Sequence, residues 1–217
     1  MVAQSLRNFR EIGRKIICVG RNYRDHVAEF NNPVPSKPML FSKTTNCYLA
    51  EEEGKIRRPP GCSVLHYEVE LGVIIGQRAT NISKADAMSY IGGYTIALDM
   101  TARDLQDELK SKGHPWFIAK SFDTACPVGE FIEVNQIPNP YNVEIYCKKN
   151  DEFRQKSSTN AMIFNVTILI EYASRFVTLE RGDLLLTGTP AGVGACHSGD
   201  RLEIGIIGIT KSIFEVE

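Results

Sequence analysis

The sequence has little of what a membrane-spanning or secreted protein needs. Its longest apolar runs, such as the one around Leu184–Leu186, fall far short of the ~20 residues that a transmembrane helix requires. The six cysteines are widely spaced and include no Cys-x-x-Cys pair, which argues against a disulfide framework and against a zinc site. We therefore predict free thiols in a reducing compartment and no membrane partner.

The sequence also lacks an excess of charge of either sign. Its 25 Lys and Arg residues stand against 26 Asp and Glu residues, so the formal net charge is −1. A protein that binds nucleic acid through phosphates needs a basic surface, and we expect no nucleic-acid partner. A length of 217 residues with 43% hydrophobic residues suits one globular domain with a full core.

Positive charge is concentrated locally near the N-terminus. Between positions 7 and 15, four basic residues stand against the single acid Glu11, a pattern typical of mitochondrial import segments. A basic arm on a cytosolic protein has the same pattern. We predict a basic N-terminal arm over residues 1–14, a single catalytic domain over residues 15–217, and a mitochondrial location, with a cytosolic location as the alternative.

Short β-type runs dominate the chain. They are rich in Val, Ile and aromatic residues and are bounded by Gly, Pro or Asn, as strands commonly are. The predicted strands are Lys15–Val19, Met39–Ser42, Tyr67–Ile75, Tyr94–Leu98, Val143–Cys147, Asp183–Thr187 and Arg201–Ile207. The predicted helices are Tyr23–Phe30, Ser83–Tyr90, Thr101–Lys112 with Thr101 as N-cap, and Ala161–Phe176. This pattern indicates a mostly β, mixed α+β fold with few short helices.

Two carboxylates interrupt an otherwise apolar strand. Because strand side chains alternate, Glu68 and Glu70 point the same way, about 6.8 Å apart along the chain. Burying two uncompensated carboxylates is costly, and a divalent cation removes that cost. An all-oxygen ligand set favours magnesium, calcium or manganese over zinc. Asp99, which ends a second apolar run, is a third candidate ligand, although a solvated edge and a turn acid would give the same pattern.

Further polar residues are candidates for catalysis. On a helix, His26 and Glu29 share a face, so the carboxylate can orient the imidazole as a general base. Lys120 is a single cation in an apolar run and is paired with an acid, extends its ammonium group to solvent (snorkelling), or is used on a substrate oxygen. Arg103 and Gln106 are also three residues apart and could face an anionic substrate. Each of these patterns also fits an ordinary structural role.

A glycine-rich turn follows the strand that ends near Thr187. The segment Leu186–Gly194 offers backbone N–H groups that could receive a carboxylate. It lacks the lysine of a nucleotide-binding loop, so nucleotide binding is not expected.

Five segments together resemble the fumarylacetoacetate hydrolase family, and the match runs over nearly the whole chain from about Lys15. The segments are VGRNYRDHVAE, HYEVELGVIIG, GYTIALDMTARDLQ, FIAKSFDTACPVG and LLLTGTPAGVG. The resemblance implies a compact β-roll, commonly dimeric, that holds Mg²⁺, with Mn²⁺ or Ca²⁺ as alternatives. It implies that the metal ligands are Glu68, Glu70 and Asp99.

The same resemblance assigns roles to the remaining candidates. It implies that His26 and Glu29 form a catalytic dyad on a segment that orders over the bound ligand, with Lys120 acting on the substrate. It implies that Arg103 and Gln106 contact the substrate and that Gly188 and Thr189 receive its carboxylate.

The activity implied is C–C bond cleavage in small 2-oxo (2-keto) acids. The enzyme would hydrolyse acylpyruvates to pyruvate and a carboxylic acid, and would decarboxylate oxaloacetate to pyruvate. Within the family, alternatives are an isomerase or decarboxylase of hydroxy-heptadienedioate-type intermediates and an oxaloacetate keto–enol tautomerase. An alternative of another class is a non-catalytic module that binds a metal or metabolite. The candidate base His26 argues against that module, because a pure binder needs no base.

Overall fold

The structure, a computed structural model, describes residues 5–29 and 33–217. The α-helices of this part are α1 (Phe9–Ile12), α2 (Arg24–Glu29), α3 (Arg103–Ser111), α4 (Phe117–Lys120) and α5 (Val166–Phe176). Short 3₁₀ helices cover Leu6–Asn8, Thr45–Cys47, Ala87–Tyr90, Val134–Gln136 and Thr159–Ala161. Phe30, the predicted end of the first helix, and the first four residues of the predicted arm lie outside the described residues.

Strands make up more of the fold than helices, as predicted. The strands are β1 (Ile16–Gly20), β2 (Met39–Lys43), β3 (Tyr48–Leu49), β4 (Leu65–Tyr67), β5 (Val69–Ile75), β6 (Ile91–Leu98), β7 (Thr101–Ala102), β8 (Cys126–Pro127), β9 (Glu144–Lys149), β10 (Glu152–Ser158), β11 (Leu184–Leu186), β12 (Gly194–Cys196), β13 (Arg201–Ile206) and β14 (Thr210–Glu215). The sequence analysis missed β10 and β14, whose polar residues outnumber the apolar ones.

A five-stranded sheet in the order β2-β1-β11-β5-β6 forms the centre of the molecule. Strands β1 and β11 are parallel, and the other neighbours are antiparallel. Every residue of β5 and of β11 is buried, because their near-continuous apolar sequences are covered on both faces. A second sheet in the order β10-β9-β13-β14 contacts this one through β5 and β6.

Three helix predictions are wrong at the start of the helix or over most of its length. Helix α3 begins at Arg103, and Thr101 lies in β7 instead of capping it. Helix α5 begins at Val166, where Asn165 accepts a hydrogen bond from the Ile168 N–H at 3.1 Å and acts as N-cap. In the predicted helix Ser83–Tyr90, only the 3₁₀ turn at its end is helical.

The N-terminal segment packs on the domain from residue 6 onward. Phe9 is buried and lies edge-on to Tyr48, with ring centroids 5.9 Å apart. All six cysteines are buried free thiols. In the part of the chain described, no helix has both the length and the apolar composition needed to cross a membrane.

Asn22 joins three separate segments just before α2. Its side-chain amide donates to the carbonyl oxygens of Phe164 (2.9 Å) and Thr187 (2.7 Å), and its amide oxygen accepts from the Phe164 N–H at 2.8 Å. The side chain is fully buried. These bonds fix the loop between β1 and α2 against the end of β11 and the chain before α5.

We predict that Asn22→Ala lowers the free energy of unfolding by about 2–4 kcal/mol, because it leaves buried backbone groups without partners. Urea denaturation measures this change. Asn135→Ala, at an exposed position, is the matched control and should stay within about 0.5 kcal/mol of the parent. Equal effects of the two substitutions would contradict the assignment.

Candidate active site

The three predicted acids come together in the structure. Glu68, Glu70 and Asp99, here called the acid cluster, are buried, and each offers a carboxylate oxygen within 4.8 Å of the others. The antiparallel register of β5 and β6, which pairs Val69 with Leu98, brings them together. The backbone N–H of Asp99 donates to the carbonyl of Glu68 at 2.8 Å. The acids therefore lie at one end of a strand pair, where alternation directs them to the same side.

Lys120 compensates much of the negative charge of the acid cluster. Its Nζ donates to Glu68 Oε2 at 3.0 Å, Asp99 Oδ2 at 2.7 Å and Thr101 Oγ1 at 2.6 Å. Helix α4 places this buried ammonium group at the cluster. Of the three interpretations left open for Lys120, pairing with acids is thus present, and burial rules out an ammonium group that extends to solvent. The group also lies where a substrate oxygen could reach it.

Lys43 is a buried site residue that the sequence analysis missed. Its Nζ lies 2.8 Å from Asp99 Oδ1 and donates to the carbonyl of Met100 at 3.1 Å. Burial opposes its charge, but the carboxylate of Asp99 is the largest of the effects that raise the pKa of Lys43. A cation at the end of the apolar run of β2 was the available signal, and it is the same signal that identified Lys120.

Glu68 and Glu70 have opposite electrostatic environments. Burial opposes ionisation of Glu68, yet Lys120 and Arg103 hold its pKa well below its usual range. Burial and the nearby Asp99 raise the pKa of Glu70, and a hydrogen bond from the Gly188 N–H at 2.6 Å only partly offsets them. Within residues 5–29 and 33–217, no Lys or Arg forms an ion pair with Glu70.

The acid cluster therefore fits a divalent cation. It is buried, its donors are all carboxylate oxygens, and the described part of the chain gives Glu70 a hydrogen bond but no ion pair to neutralise it. Hard oxygen donors are those that magnesium, calcium and manganese prefer.

His26 and Glu29 lie on α2 as predicted and contact each other. His26 Nδ1 is 3.3 Å from Glu29 Oε2, and Glu29 accepts a hydrogen bond from the Gly192 N–H at 3.1 Å. Burial lowers the pKa of His26, although Glu68 and Glu29 oppose that shift. A lowered pKa keeps the imidazole neutral near pH 7, which is the form that accepts a proton.

Arg103 and Gln106 both lie on the first turns of α3 and line the same cavity as the acid cluster. Arg103 forms an ion pair with Glu68, and its Nη1 donates to Gln106 Oε1 at 2.6 Å. Its Nε also donates to His66 Nδ1 at 3.3 Å. The guanidinium is thus held in place from three sides before any substrate binds.

Gly188 and Thr189 follow β11 at the edge of the site. The Gly188 N–H already donates to Glu70, so receiving a substrate carboxylate would require that bond to be replaced. Gly188 has φ +99°, and a Cβ there would lie 2.6 Å from the Cβ of Asn22, so a side chain is not tolerated. Thr189 lines the cavity, and its Oγ1 accepts from Gln155 Nε2 at 2.8 Å.

These side chains surround one cavity of about 280 Å³. It is lined by Val19, Gly20, Arg21, His26, Met39, Phe41, Glu68, Glu70, Asp99, Arg103, Gln106, Lys110, Trp116, Lys120 and Thr189. A larger cavity of about 510 Å³ lies near α1, where Arg10 and Glu53 form an ion pair at 2.7 Å. Acids, cations and a histidine converge in the smaller cavity, which is therefore the candidate active site.

Known proteins are similar to this chain over nearly its whole length. The family described as fumarylacetoacetate (FAA) hydrolase C-terminal matches residues 15–217. The chain is 56% identical to the mitochondrial oxaloacetate tautomerase of Caenorhabditis elegans over 98% of this chain and 99% of that protein. It is 47% identical to the mitochondrial oxaloacetate decarboxylase of Dictyostelium discoideum over 94% of both chains.

Solved structures share the fold. The fumarylpyruvate hydrolase of Pseudomonas aeruginosa, in complex with Mn²⁺ and pyruvate, has a TM-score of 0.89 and 35% identity, covering 94% of this chain and 89% of that one. The 2-hydroxyhepta-2,4-diene-1,7-dioate isomerase of Mycobacterium marinum has a TM-score of 0.83 and 37% identity, covering 94% and 75%. The predicted fold class is confirmed, and a divalent-metal site is indicated.

We predict that Glu70→Gln weakens Mn²⁺ binding strongly. Loss of an outer-shell partner lowers metal affinity by roughly 10- to 100-fold, and loss of a direct ligand should lower it by more. The free energy of unfolding in chelator should stay level or rise, because no cation loses an ion pair and one buried carboxylate disappears. Mn²⁺ titration followed by electron paramagnetic resonance gives the affinity, and urea denaturation gives the stability. Glu144→Gln, at the exposed first residue of β9, is the control. Unchanged Mn²⁺ affinity in Glu70→Gln would refute the acid cluster as a metal site.

Proposed function

This chain belongs to the fumarylacetoacetate hydrolase family, and we propose from that premise that it acts on small 2-oxo acids with a divalent metal. The reactions proposed are hydrolysis of acylpyruvates to pyruvate and a carboxylic acid, and decarboxylation of oxaloacetate to pyruvate. The observation that carries the proposal is one small cavity that contains the acid cluster, the His26 imidazole and the Lys120 ammonium group. Relatives named as oxaloacetate tautomerase and decarboxylase, similar over nearly their full lengths, support it.

The acid cluster is the proposed metal site, with Glu68, Glu70 and Asp99 as ligands. We propose Mg²⁺, with Mn²⁺ or Ca²⁺ as alternatives, because all donors are hard oxygens. When bound, such an ion supplies positive charge to the 2-oxo and carboxylate oxygens of the substrate. The Mn²⁺ and pyruvate in the related Pseudomonas aeruginosa enzyme support both the metal class and the ligand class.

His26 is the proposed general base for acylpyruvate hydrolysis. The neutral imidazole takes a proton from water, and the resulting hydroxide attacks the distal carbonyl carbon. Glu29 orients the ring through its contact with Nδ1 and is itself held by the Gly192 N–H. The C3–C4 bond then breaks, and its electron pair stays with the pyruvate fragment as an enolate.

Lys120 is the proposed partner for the enolate. Its buried ammonium group either stabilises the negative charge that develops on the enolate oxygen or delivers the proton that forms pyruvate. With oxaloacetate, loss of carbon dioxide leaves the same enolate without an attacking water. His26 is therefore required for hydrolysis more than for decarboxylation.

The remaining predicted contacts stay proposals. Arg103 and Gln106 would orient the substrate from α3, and Thr189 with Gly188 would contact its carboxylate. For Gly188 this contact competes with Glu70 for the same N–H, so it is strongest when Glu70 is turned toward a metal.

Keto–enol tautomerisation of oxaloacetate is a second candidate function. It needs proton transfer at C3 and at the oxygen but breaks no C–C bond, and the same cavity contains both a neutral histidine and a lysine. The name of the Caenorhabditis elegans relative favours it. The isomerase alternative would require a substrate longer than oxaloacetate, a seven-carbon dioate, to fit the cavity of about 280 Å³. The non-catalytic alternative is rejected, since the similar proteins are enzymes over nearly their whole lengths.

Assembly, location and domain limits follow the family in this proposal. We propose a homodimer in mitochondria, as the names of the relatives support for the location. Residues 15–217, the span of the family match, form the proposed catalytic domain, and residues 1–14 the basic arm.

The proposed function predicts that chelator abolishes turnover of both acetylpyruvate and oxaloacetate and that Mg²⁺ restores it. Both substrates and a hydroxy-heptadienedioate are assayed side by side on one preparation, and the enol form of oxaloacetate is followed separately. Because divalent ions decarboxylate oxaloacetate in solution, Glu70→Gln at the same metal concentration is the blank. Full turnover by the metal-free protein would refute the proposal.

His26→Ala should separate the two reactions. Acetylpyruvate hydrolysis should fall by about 10²- to 10⁴-fold, the usual effect of losing a general base, whereas oxaloacetate decarboxylation should fall far less. His114→Ala, at an exposed position, is the control. If His26→Ala hydrolyses acetylpyruvate at the parent rate, another group is the base.

A further inference from the structure

Two cations of the cavity take no part in the reactions proposed above. Arg21 and Lys110 both line it, together with the acid cluster. Arg21 is partly exposed and Lys110 is exposed, whereas the three acids are buried. The cavity thus has a buried acidic end and a more exposed end with two positive charges, here called the mouth cations.

Arg21 is held in an unusual backbone conformation. Its φ of +57° lies in the left-handed region, which is unfavourable for a residue with a side chain. Across the described ranges 5–29 and 33–217, its guanidinium forms no hydrogen bond and no ion pair. A strained backbone that directs an unpaired cation into a cavity is not explained by folding and points to a ligand.

Lys110 is similarly under-compensated. It projects from α3, with Nζ 5.5 Å from the centroid of the Trp116 ring and 3.4 Å from the exposed carboxylate of Asp107. Such an exposed pair contributes little. Burial lowers the pKa of Lys110, and the positive charges of Arg103 and Arg21 lower it further. Asp107 opposes that shift only in part, so an anion near the mouth cations would stabilise the charged form of Lys110.

The mouth cations are the cations of the cavity that do not pair with the acid cluster within the described residues. Lys43, Lys120 and Arg103 form ion pairs with Asp99 or Glu68, whereas neither Arg21 nor Lys110 does so within the described residues. In the proposed function, the metal and the 2-oxo-carboxylate end of the substrate occupy that end. The other end of a short substrate then faces Arg21 and Lys110.

We infer that Arg21 and Lys110 bind the second carboxylate of a dicarboxylic 2-oxo acid while its 2-oxo end lies at the acid cluster. The inference rests on the proposed function and narrows its substrate class. It predicts a preference for C4 dicarboxylates such as oxaloacetate over acylpyruvates with an uncharged tail. A cavity of about 280 Å³ leaves room for a short diacid of this kind.

The test compares kcat/KM for oxaloacetate and for acetylpyruvate, which differ in the charge of the distal end. Arg21→Gln and Lys110→Gln should each lower the ratio of oxaloacetate to acetylpyruvate by about tenfold or more, the effect of losing a hydrogen bond to a charged group. The change should appear in KM for oxaloacetate. Arg21→Lys and Lys110→Arg, which keep the charge, should restore most of the ratio. Lys112→Gln, on the exposed side of α3, is the matched control.

Competition by pyruvate reports on the acidic end alone, because pyruvate has no second carboxylate. Its inhibition constant should change far less than KM for oxaloacetate in the variants, and melting temperatures show that they are folded. A ratio that stays at the parent value in both Gln variants, or that falls equally in Lys112→Gln, would overturn the inference. If the parent turns over neither substrate, the proposed function fails, which is a different outcome from an unchanged ratio in an active enzyme.

Discussion

The site depends on the neutralisation of buried carboxylates by buried cations. Lys120 bridges Glu68 and Asp99, and Lys43 lies 2.8 Å from the second oxygen of Asp99. In an interior of low dielectric constant, removing one partner of such a pair costs about 3–5 kcal/mol. The buried acids and the buried lysines must therefore be brought together as the chain folds. Strands β5 and β6 supply the acids, while β2 and α4 supply the lysines, so the complete fold is needed before the site is stable.

The sequence predicts the acid cluster well because its geometry is local. Period-2 alternation places Glu68 and Glu70 on one side, and an acid at the end of the next apolar run belongs to the antiparallel neighbour of that strand. Lys43 was missed because its partner is 56 positions away and no local pattern links them. The hydrogen bond from Gly188 to Glu70 depends in the same way on β11 pairing with β5.

Helix starts were the weakest predictions, and Thr101 shows why. Its residue type and its place three residues before Asp104 favour an N-cap. In the fold, its hydroxyl accepts a hydrogen bond from Lys120 at 2.6 Å and donates to the Asp99 carbonyl at 3.0 Å. A buried ammonium group outcompetes the end of a helix for this oxygen, since a bond to a charged group is the stronger of the two. The local pattern correctly indicated a hydrogen-bonding role for the Thr101 hydroxyl. Its partners, however, are tertiary contacts and not the end of a helix.

The two ends of the cavity have opposite electrostatic requirements. At the buried end, no Lys or Arg of the described residues forms an ion pair with Glu70, so that end would gain from a positive ion. At the more exposed end, the described residues give Arg21 no ion pair and give Lys110 only the exposed carboxylate of Asp107, so that end would gain from a negative group. A divalent ion and a short diacid satisfy both demands at once. A ligand with a single carboxylate would satisfy only one of them. If Arg21 and Lys110 bind the second carboxylate as we infer, substrate choice depends on where the chain leaves charge uncompensated.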